Sequence, residues 1–292
     1  MTTIRRTVRK WRVAAVQMTS TEDVARNVGR AQRWIRGAVA AGAHLVALPE
    51  NFAFLRYEGS PVTFREPLTG ALVTSMRALA RELRRHILLG SIPEHVPRQK
   101  RIYNTSVLIG PDGALLATYR KMHLFDIDIP GGVTFKESST VKPGSDPVVA
   151  DTPLGKMGLS ICYDLRFPEL YRHLAQAGAR VLFVPAAFTA FTGPPHWLPL
   201  LRARAIENLC WVVAPAQVGQ HNRLRASHGE TVIIDPWGTV VRRLPRSEGW
   251  IDAEIDLAQV DRVRRGLPCL DHTRPALLGR TRKPVAAARR SR

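Results

Sequence analysis

The sequence predicts one α/β domain with its sheets inside and its helices outside. Short apolar runs of strand length alternate with longer stretches of helical periodicity. No low-complexity linker and no short-period repeat divides the 292 residues. Hydrophobic residues make up 45% of the chain, enough to fill a sizeable core.

Each element follows from local chemistry. Trp11 to Met18 reads as a first strand. Asp23 to about Ala41 has alanine and arginine at helical spacing, and Gly42 closes it. His44-Leu-Val-Ala-Leu-Pro-Glu50 is a buried strand ending in a proline and an acid. Gly70 to His86 puts Leu72, Met76, Leu79 and Leu83 on one helical face, and Ile87 to Ser91 is a third strand. Ile102–Ile109 and Ala114–Tyr119 flank Pro111-Asp112-Gly113, a turn-forming triplet, as a hairpin. A long Gly- and Pro-containing connection, Lys121 to Pro147, is the kind of loop that carries function.

The stretch Gly158-Leu-Ser-Ile-Cys-Tyr-Asp-Leu-Arg-Phe-Pro-Glu169 begins as a strand and ends as a helix start. Pro168 to Ala177 is the helix, and Arg180 to Pro185 the next strand. Residues 196–208 form a helix with Pro199 in its first turn, and Cys210 to Pro215 another strand. Thr231–Asp235 and Thr239–Leu244 pair across Pro236-Trp237-Gly238, and Ile251–Ile255 is a last strand.

Composition narrows the classes. No run of 18 apolar residues predicts a membrane span, and the basic first ten residues lack the apolar core of a secretory signal. The three cysteines, Cys162, Cys210 and Cys269, are too few and too scattered for a disulfide framework or a zinc site, which points to a reducing cytoplasm. The net charge is +19, and much of it lies in two acid-free segments, residues 1–12 and 280–292. No aromatic-studded basic motif accompanies it, so we expect a solvated, arginine-rich surface and no specific nucleic-acid partner. The rival of a different class is a nucleic-acid-binding protein on a retired enzyme fold.

Three polar residues follow apolar runs: Glu50, Lys121 and Cys162. Strand C-termini are where open α/β sheets build sites. A buried carboxylate can take the proton of a thiol, the thiolate can attack a carbonyl, and an ammonium can hold the resulting oxyanion. Read singly, Glu50 can be a cap, Lys121 a surface cation and Cys162 a core residue. Together they make an acyl-transfer set.

At these residues the chain resembles the nitrilase, or carbon–nitrogen hydrolase, superfamily. Leu48-Pro-Glu-Asn51, Tyr119-Arg-Lys-Met-His-Leu-Phe-Asp126 and the cysteine stretch match its three motifs, in order. Phe135-Lys-Glu-Ser138, Thr192-Gly-Pro-Pro-His-Trp197 and Asp235-Pro-Trp-Gly-Thr239 are similar to its Nit branch of amidases. The resemblance implies a four-layer αββα sandwich over residues 13–279, with basic tails at 1–12 and 280–292. It implies Glu50 as general base, Cys162 as nucleophile, Lys121 as oxyanion stabiliser aided by the Tyr163 backbone N–H, and Glu137 as a second acid positioning Lys121. It implies Arg166 as the grip on a substrate carboxylate, with Phe188, Thr192 and His196 bordering the pocket. His123 is expected to orient or pack, and Cys210 and Cys269 to be structural.

The implied reaction hydrolyses a carboxamide to a carboxylate and ammonia through a thioester, without metal or organic cofactor. The implied substrate is a small amide bearing carboxylate, and the implied assembly a homodimer. Thr192–Glu207 and Gln217-Val-Gly-Gln-His221 look closer to amidases of deaminated glutathione than to ω-amidases of α-ketoglutaramate, with other amidases, nitrilases and carbamoylases as alternatives. Gly229-Glu230-Thr231 departs from the Gly-His-Ser usual in such relatives.

Overall fold

The computed structural model describes residues 8–57, 59–130 and 134–274. Its first strand, β1 (Lys10–Gln17), already requires four layers. Trp11, Val13 and Ala15 face one way and Ala14 and Val16 the other, and all five are buried. A strand buried on both faces must be covered on both.

The chain continues through α1 (Val24–Ala40), β2 (Leu45–Ala47), α2 (Ala71–Leu83), β3 (His86–Glu94), β4 (Tyr103–Ile109) and β5 (Leu115–Arg120). A small hairpin, β6 (Asp126–Asp128) and β7 (Thr134–Lys136), precedes a 3₁₀ turn at Glu137–Ser139. Then come β8 (Val148–Thr152), β9 (Gly155–Leu159), a 3₁₀ turn at Cys162–Arg166, α3 (Pro168–Gln176), β10 (Val181–Phe183), α4 (Gly193–Asn208) and β11 (Trp211–Ala214). A hairpin of β12 (Val218–Gln220) and β13 (Ala226–His228) leads to β14 (Thr231–Ile234), β15 (Val240–Leu244), β16 (Gly249–Asp256) and α5 (Leu257–Gly266).

Two six-stranded sheets result, ordered β16-β1-β2-β3-β4-β5 and β15-β14-β11-β10-β9-β8. The centres, β1-β2-β3 and β9-β10-β11, are parallel, and the flanking strands antiparallel. Ala14, Val46 and Ile87 pack with Ile35 of α1 and Met76 of α2. Trp11, Val13 and Leu45 point instead into a core shared with Leu159 and Val213, which extends to Leu174 of α3 and Leu201 of α4. The order is therefore helices, sheet, sheet, helices, which is the αββα sandwich expected. Each large side chain fully buried this way contributes about 1.5–3 kcal/mol.

Several details differ from expectation. α4 begins at Gly193, so Pro199 lies inside the helix rather than in its first turn. Lys10 and Arg12, assigned to a basic tail, belong to β1, where they pair with Glu254 and Asp252 of β16. Residues 1–7 and 280–292 of the predicted tails lie outside the described residues. No helix among the described residues is long and apolar enough to cross a membrane.

Candidate active site

Three strands deliver the predicted trio to one place. β2 is only three residues long, after which Leu48 still bonds Leu88 of β3, N to O, at 2.9 Å. The chain then turns so closely over Gly90 that a Cβ there would strike the Leu48 and Pro49 carbonyls. That turn presents Glu50. Its own carbonyl accepts from Gln217 Nε2 at 2.9 Å, which fixes the backbone from the segment between β11 and β12. Lys121 follows β5, its N–H donating to Asn104 O at 2.9 Å and its carbonyl accepting from Gly144 N–H at 2.9 Å.

Cys162 begins its 3₁₀ turn with φ of 49°, a left-handed conformation that costs a non-glycine residue about 1–3 kcal/mol. Its N–H donates to Pro185 O at 2.9 Å. Asp164, fully buried, accepts from Ile161 N–H at 2.8 Å and Tyr119 Oη–H at 2.7 Å through Oδ2. Its Oδ1 accepts from His123 N–H at 3.0 Å and lies 2.7 Å from His123 Nδ1. The His123 ring stacks on Phe167 at 3.7 Å. His123 thus contacts the turn through both Asp164 and Phe167.

The polar centre is dense. Glu50 Oε1 accepts from Lys121 Nζ at 2.9 Å and Asn104 Nδ2 at 2.9 Å, while Oε2 accepts from Ala187 N–H at 2.8 Å. The Cys162 thiol shares the cleft with Glu50 and is exposed to its charge. Lys121 Nζ donates to Glu137 at 2.9 and 3.2 Å, and Glu137 Oε2 accepts from Phe125 N–H at 2.7 Å. Lys121 is therefore clamped between two carboxylates, with Asn104 bridging both.

These contacts set the charges. Burial alone would raise the Glu50 carboxyl, but the Lys121 charge and hydrogen bond hold it below its ordinary 4.5. Burial alone would strip Lys121 of its proton, but Glu137 and Glu50 raise it above its ordinary value. Burial, then the Glu50 charge, pushes the Cys162 thiol well above 9.0. The resting site is carboxylate, ammonium and neutral thiol. A neutral thiol needs a base if it is to attack, and Glu50 is a carboxylate in the same cleft.

A cleft of about 710 Å³ opens over the trio, with Phe125, Arg56 and Arg225 also in its wall. A second chamber of about 190 Å³ lies beyond Cys162, walled by Tyr163, Phe188 and Thr192. Glu137 lies in the cleft wall, bonded to Lys121. Arg166 is outside both walls, with its guanidinium 5.1 Å from the Phe188 ring centre and 5.8 Å from that of Tyr163. His196 is exposed, 3.4 Å from Arg166. Asn104, Arg56 and Arg225 were not singled out from sequence. Asn104 stands in the polar Asn-Thr-Ser run of β4, which carried no distinct signal in the sequence. The departing Glu230 pairs with Arg243 and lies 3.3 Å from His228, outside both walls. Cys210 is buried, with its thiol pushed up to about 11 by desolvation.

The sequence profile of the family Carbon-nitrogen hydrolase matches residues 12–265. A curated deaminated glutathione amidase of Synechocystis sp. is 47% identical over 262 residues, covering 89% of this chain and 96% of that protein. Its Homo sapiens counterpart is 45% identical over 281 residues, covering 94% and 85%. Among solved structures, Saccharomyces cerevisiae Nit3, a member of branch 10 of the nitrilase superfamily, matches with a TM-score of 0.79 at 32% identity, covering 90% of this chain and 96% of its own. The Caenorhabditis elegans NitFhit protein matches with a TM-score of 0.84 at 39% identity, covering 93% and 66%.

Proposed function

The chain belongs to the carbon–nitrogen hydrolase family, and from that premise we propose that it is an amidase of deaminated glutathione working through Glu50, Lys121 and Cys162. The observation that carries the mechanism is the buried Glu50 carboxylate bonded to the Lys121 ammonium at 2.9 Å, in one cleft with the Cys162 thiol.

In this reading Glu50 takes the thiol proton as Cys162 Sγ attacks the amide carbon. Lys121 Nζ and the Tyr163 N–H stabilise the oxyanion. Glu50 returns the proton to the amide nitrogen, the C–N bond breaks, and a thioester remains. Glu50 then deprotonates a water, which attacks the thioester. The second tetrahedral intermediate expels the Cys162 thiolate, which recovers its proton from Glu50. Glu137 keeps Lys121 in place through both halves. Arg166, beside the smaller chamber, is assigned to the substrate's acyl carboxylate, with Phe188 and Thr192 as walls and His196 at its rim.

The scissile nitrogen of deaminated glutathione carries the cysteinylglycine portion, so the leaving group is that dipeptide's amine. Ammonia leaves only from a primary amide such as α-ketoglutaramate. Both substrates release α-ketoglutarate, so one product assay serves both. The reading includes a cytoplasmic homodimer, in which the +19 charge steers anionic substrates.

The test is α-ketoglutarate release from deaminated glutathione and from α-ketoglutaramate, by the wild type and by Cys162→Ala. Preference for deaminated glutathione, lost in Cys162→Ala, is expected. Preference for α-ketoglutaramate overturns the substrate. Equal rates with and without the thiol overturn the mechanism.

A further inference from the structure

Two nitrogens serve the same two oxygens at the centre of the site. Lys121 Nζ donates to Glu50 Oε1 at 2.9 Å and to Glu137 Oε1 at 3.2 Å. Asn104 Nδ2 donates to Glu50 Oε1 at 2.9 Å and to Glu137 Oε1 at 3.2 Å. The four atoms close a ring in which donors and acceptors alternate. An amide NH₂ has two hydrogens, so both are spent on the two carboxylates. The Asn104 main chain joins the same assembly, its carbonyl accepting from Lys121 N–H at 2.9 Å.

The other end of the amide shows what this orientation costs. Asn104 Oδ1 is buried and accepts from no donor among the described residues. Turning the amide over would set that oxygen against two carboxylates and remove both hydrogen bonds. A buried acceptor left unpaired is a net loss to folding. The next two residues of β4 behave differently. Thr105 Oγ1–H donates to Glu94 Oε2 at 2.6 Å and Ser106 Oγ–H to Leu89 O at 3.1 Å, which ties β4 to β3. Of these three side chains, that of Asn104 goes to Glu50.

Two carboxylates around one ammonium repel each other, and donors that favour their charged forms offset this. Lys121 stands on a flexible four-carbon stem. Asn104 is short and sits in a strand held on both sides, by β3 and β5. We propose that Asn104 is a positioning residue of the reaction, its one amide nitrogen fixing the Glu50 and Glu137 carboxylates against each other around Lys121. The proposal rests on the reading of Glu50 as the base, through which Asn104 acts.

The experiment is a double-variant cycle of Asn104→Leu, which keeps the size and removes the donor, with Glu137→Ala. Each enzyme is given whichever of the two amides the wild type cleaves better, and rates are taken per folded molecule from urea unfolding curves. In Asn104→Leu, kcat falls by about tenfold to a hundredfold and KM changes less, because the geometry of the base is what is lost. In the double variant the loss is smaller than the product of the two single losses by about threefold or more, since either change alone opens the ring. If Asn104→Leu does not fold, Asn104→Ala, which adds no bulk, goes through the same cycle. An unchanged kcat overturns the proposal, and a raised KM at that kcat makes Asn104 a substrate contact instead. Losses that simply multiply also overturn it, because Asn104 then acts apart from Glu137. Glu50→Gln at the wild-type rate removes the base and this proposal with it. An inactive Glu50→Gln beside a fully active Asn104→Leu removes this proposal alone.

Discussion

Tyr119 donates its phenolic hydrogen to Asp164 Oδ2 at 2.7 Å, and both residues are fully buried. Tyr119 stands two residues before Lys121, and Asp164 two after Cys162. The bond therefore joins the strand that supplies the ammonium to the turn that supplies the thiol, across the two sheets. Burial and the neighbouring Asp164 charge hold the phenol well above its ordinary 10.0, so it remains a donor.

Tyr119→Phe removes that donor and leaves Asp164 Oδ2 its bond from Ile161 N–H. The expected loss of stability is about 1–2 kcal/mol, read by urea unfolding. Because the lysine–cysteine spacing loosens, kcat is expected to fall about tenfold or more, with KM changed less. Unchanged kcat in a destabilised protein would make the bond purely structural.

Glu50→Gln keeps the shape but removes the proposed base. The carboxylate accepts from three donors, Lys121, Asn104 and Ala187, and an amide oxygen cannot serve all of them. The expected fall in kcat is about 10²- to 10⁴-fold. Alkylation of Cys162 by iodoacetamide at neutral pH should slow in parallel, since the thiol has lost its proton acceptor. Alkylation at the wild-type rate would show that another group takes the proton.

The pH profile follows from the same centre. The Glu50 carboxyl is held below 4.5, so its charged form, and the stability that form contributes, is fully present above that value. Both are lost as pH falls through the lower, folded value. The Cys162 thiol is held above 9.0, and Lys121 above its ordinary 10.5. Plotted as kcat/KM, activity should be flat from pH 4.5 to 9.0, unless acid unfolding, monitored by circular dichroism, intervenes first. A limb near pH 6.5 would assign a histidine to catalysis.

The sequence made some of this legible because the signals were local. Glu50 and Cys162 each end an apolar run, and Pro168 fits the first position of α3. What stayed hidden depended on tertiary approach. Asn104 meets Glu50 and Glu137 only because β4 lies between β3 and β5. Arg225 reaches the cleft from the loop between β12 and β13, which no periodicity announces. α5 was missed because only Leu257 and Val260 are buried in it, too few to mark a face. The start of α4 was missed because Gly193-Pro-Pro reads as loop, although prolines suit a first turn.

The tightest backbone approach in the site is also testable. A Cβ on Gly90 would meet the carbonyls of Leu48 and Pro49, which are main-chain atoms and cannot swing aside. Gly90→Ala must therefore displace the segment that ends in Glu50. Overpacking of this kind costs about 1–3 kcal/mol. A displacement of about 1 Å at the proposed general base can cost about a hundredfold in rate, so activity per folded molecule should fall as well. Gly29 in α1 is the control, because a Cβ there meets nothing within 4 Å. Gly29→Ala should stabilise the protein by about 0.5–1 kcal/mol and leave kcat unchanged. Unfolding curves and active-site-titrated kcat for the two variants decide the matter. A Gly90→Ala enzyme with full activity per folded molecule would mean that Glu50 is positioned by its hydrogen bonds to Gln217, Ala187, Lys121 and Asn104, and not by the β2–β3 approach.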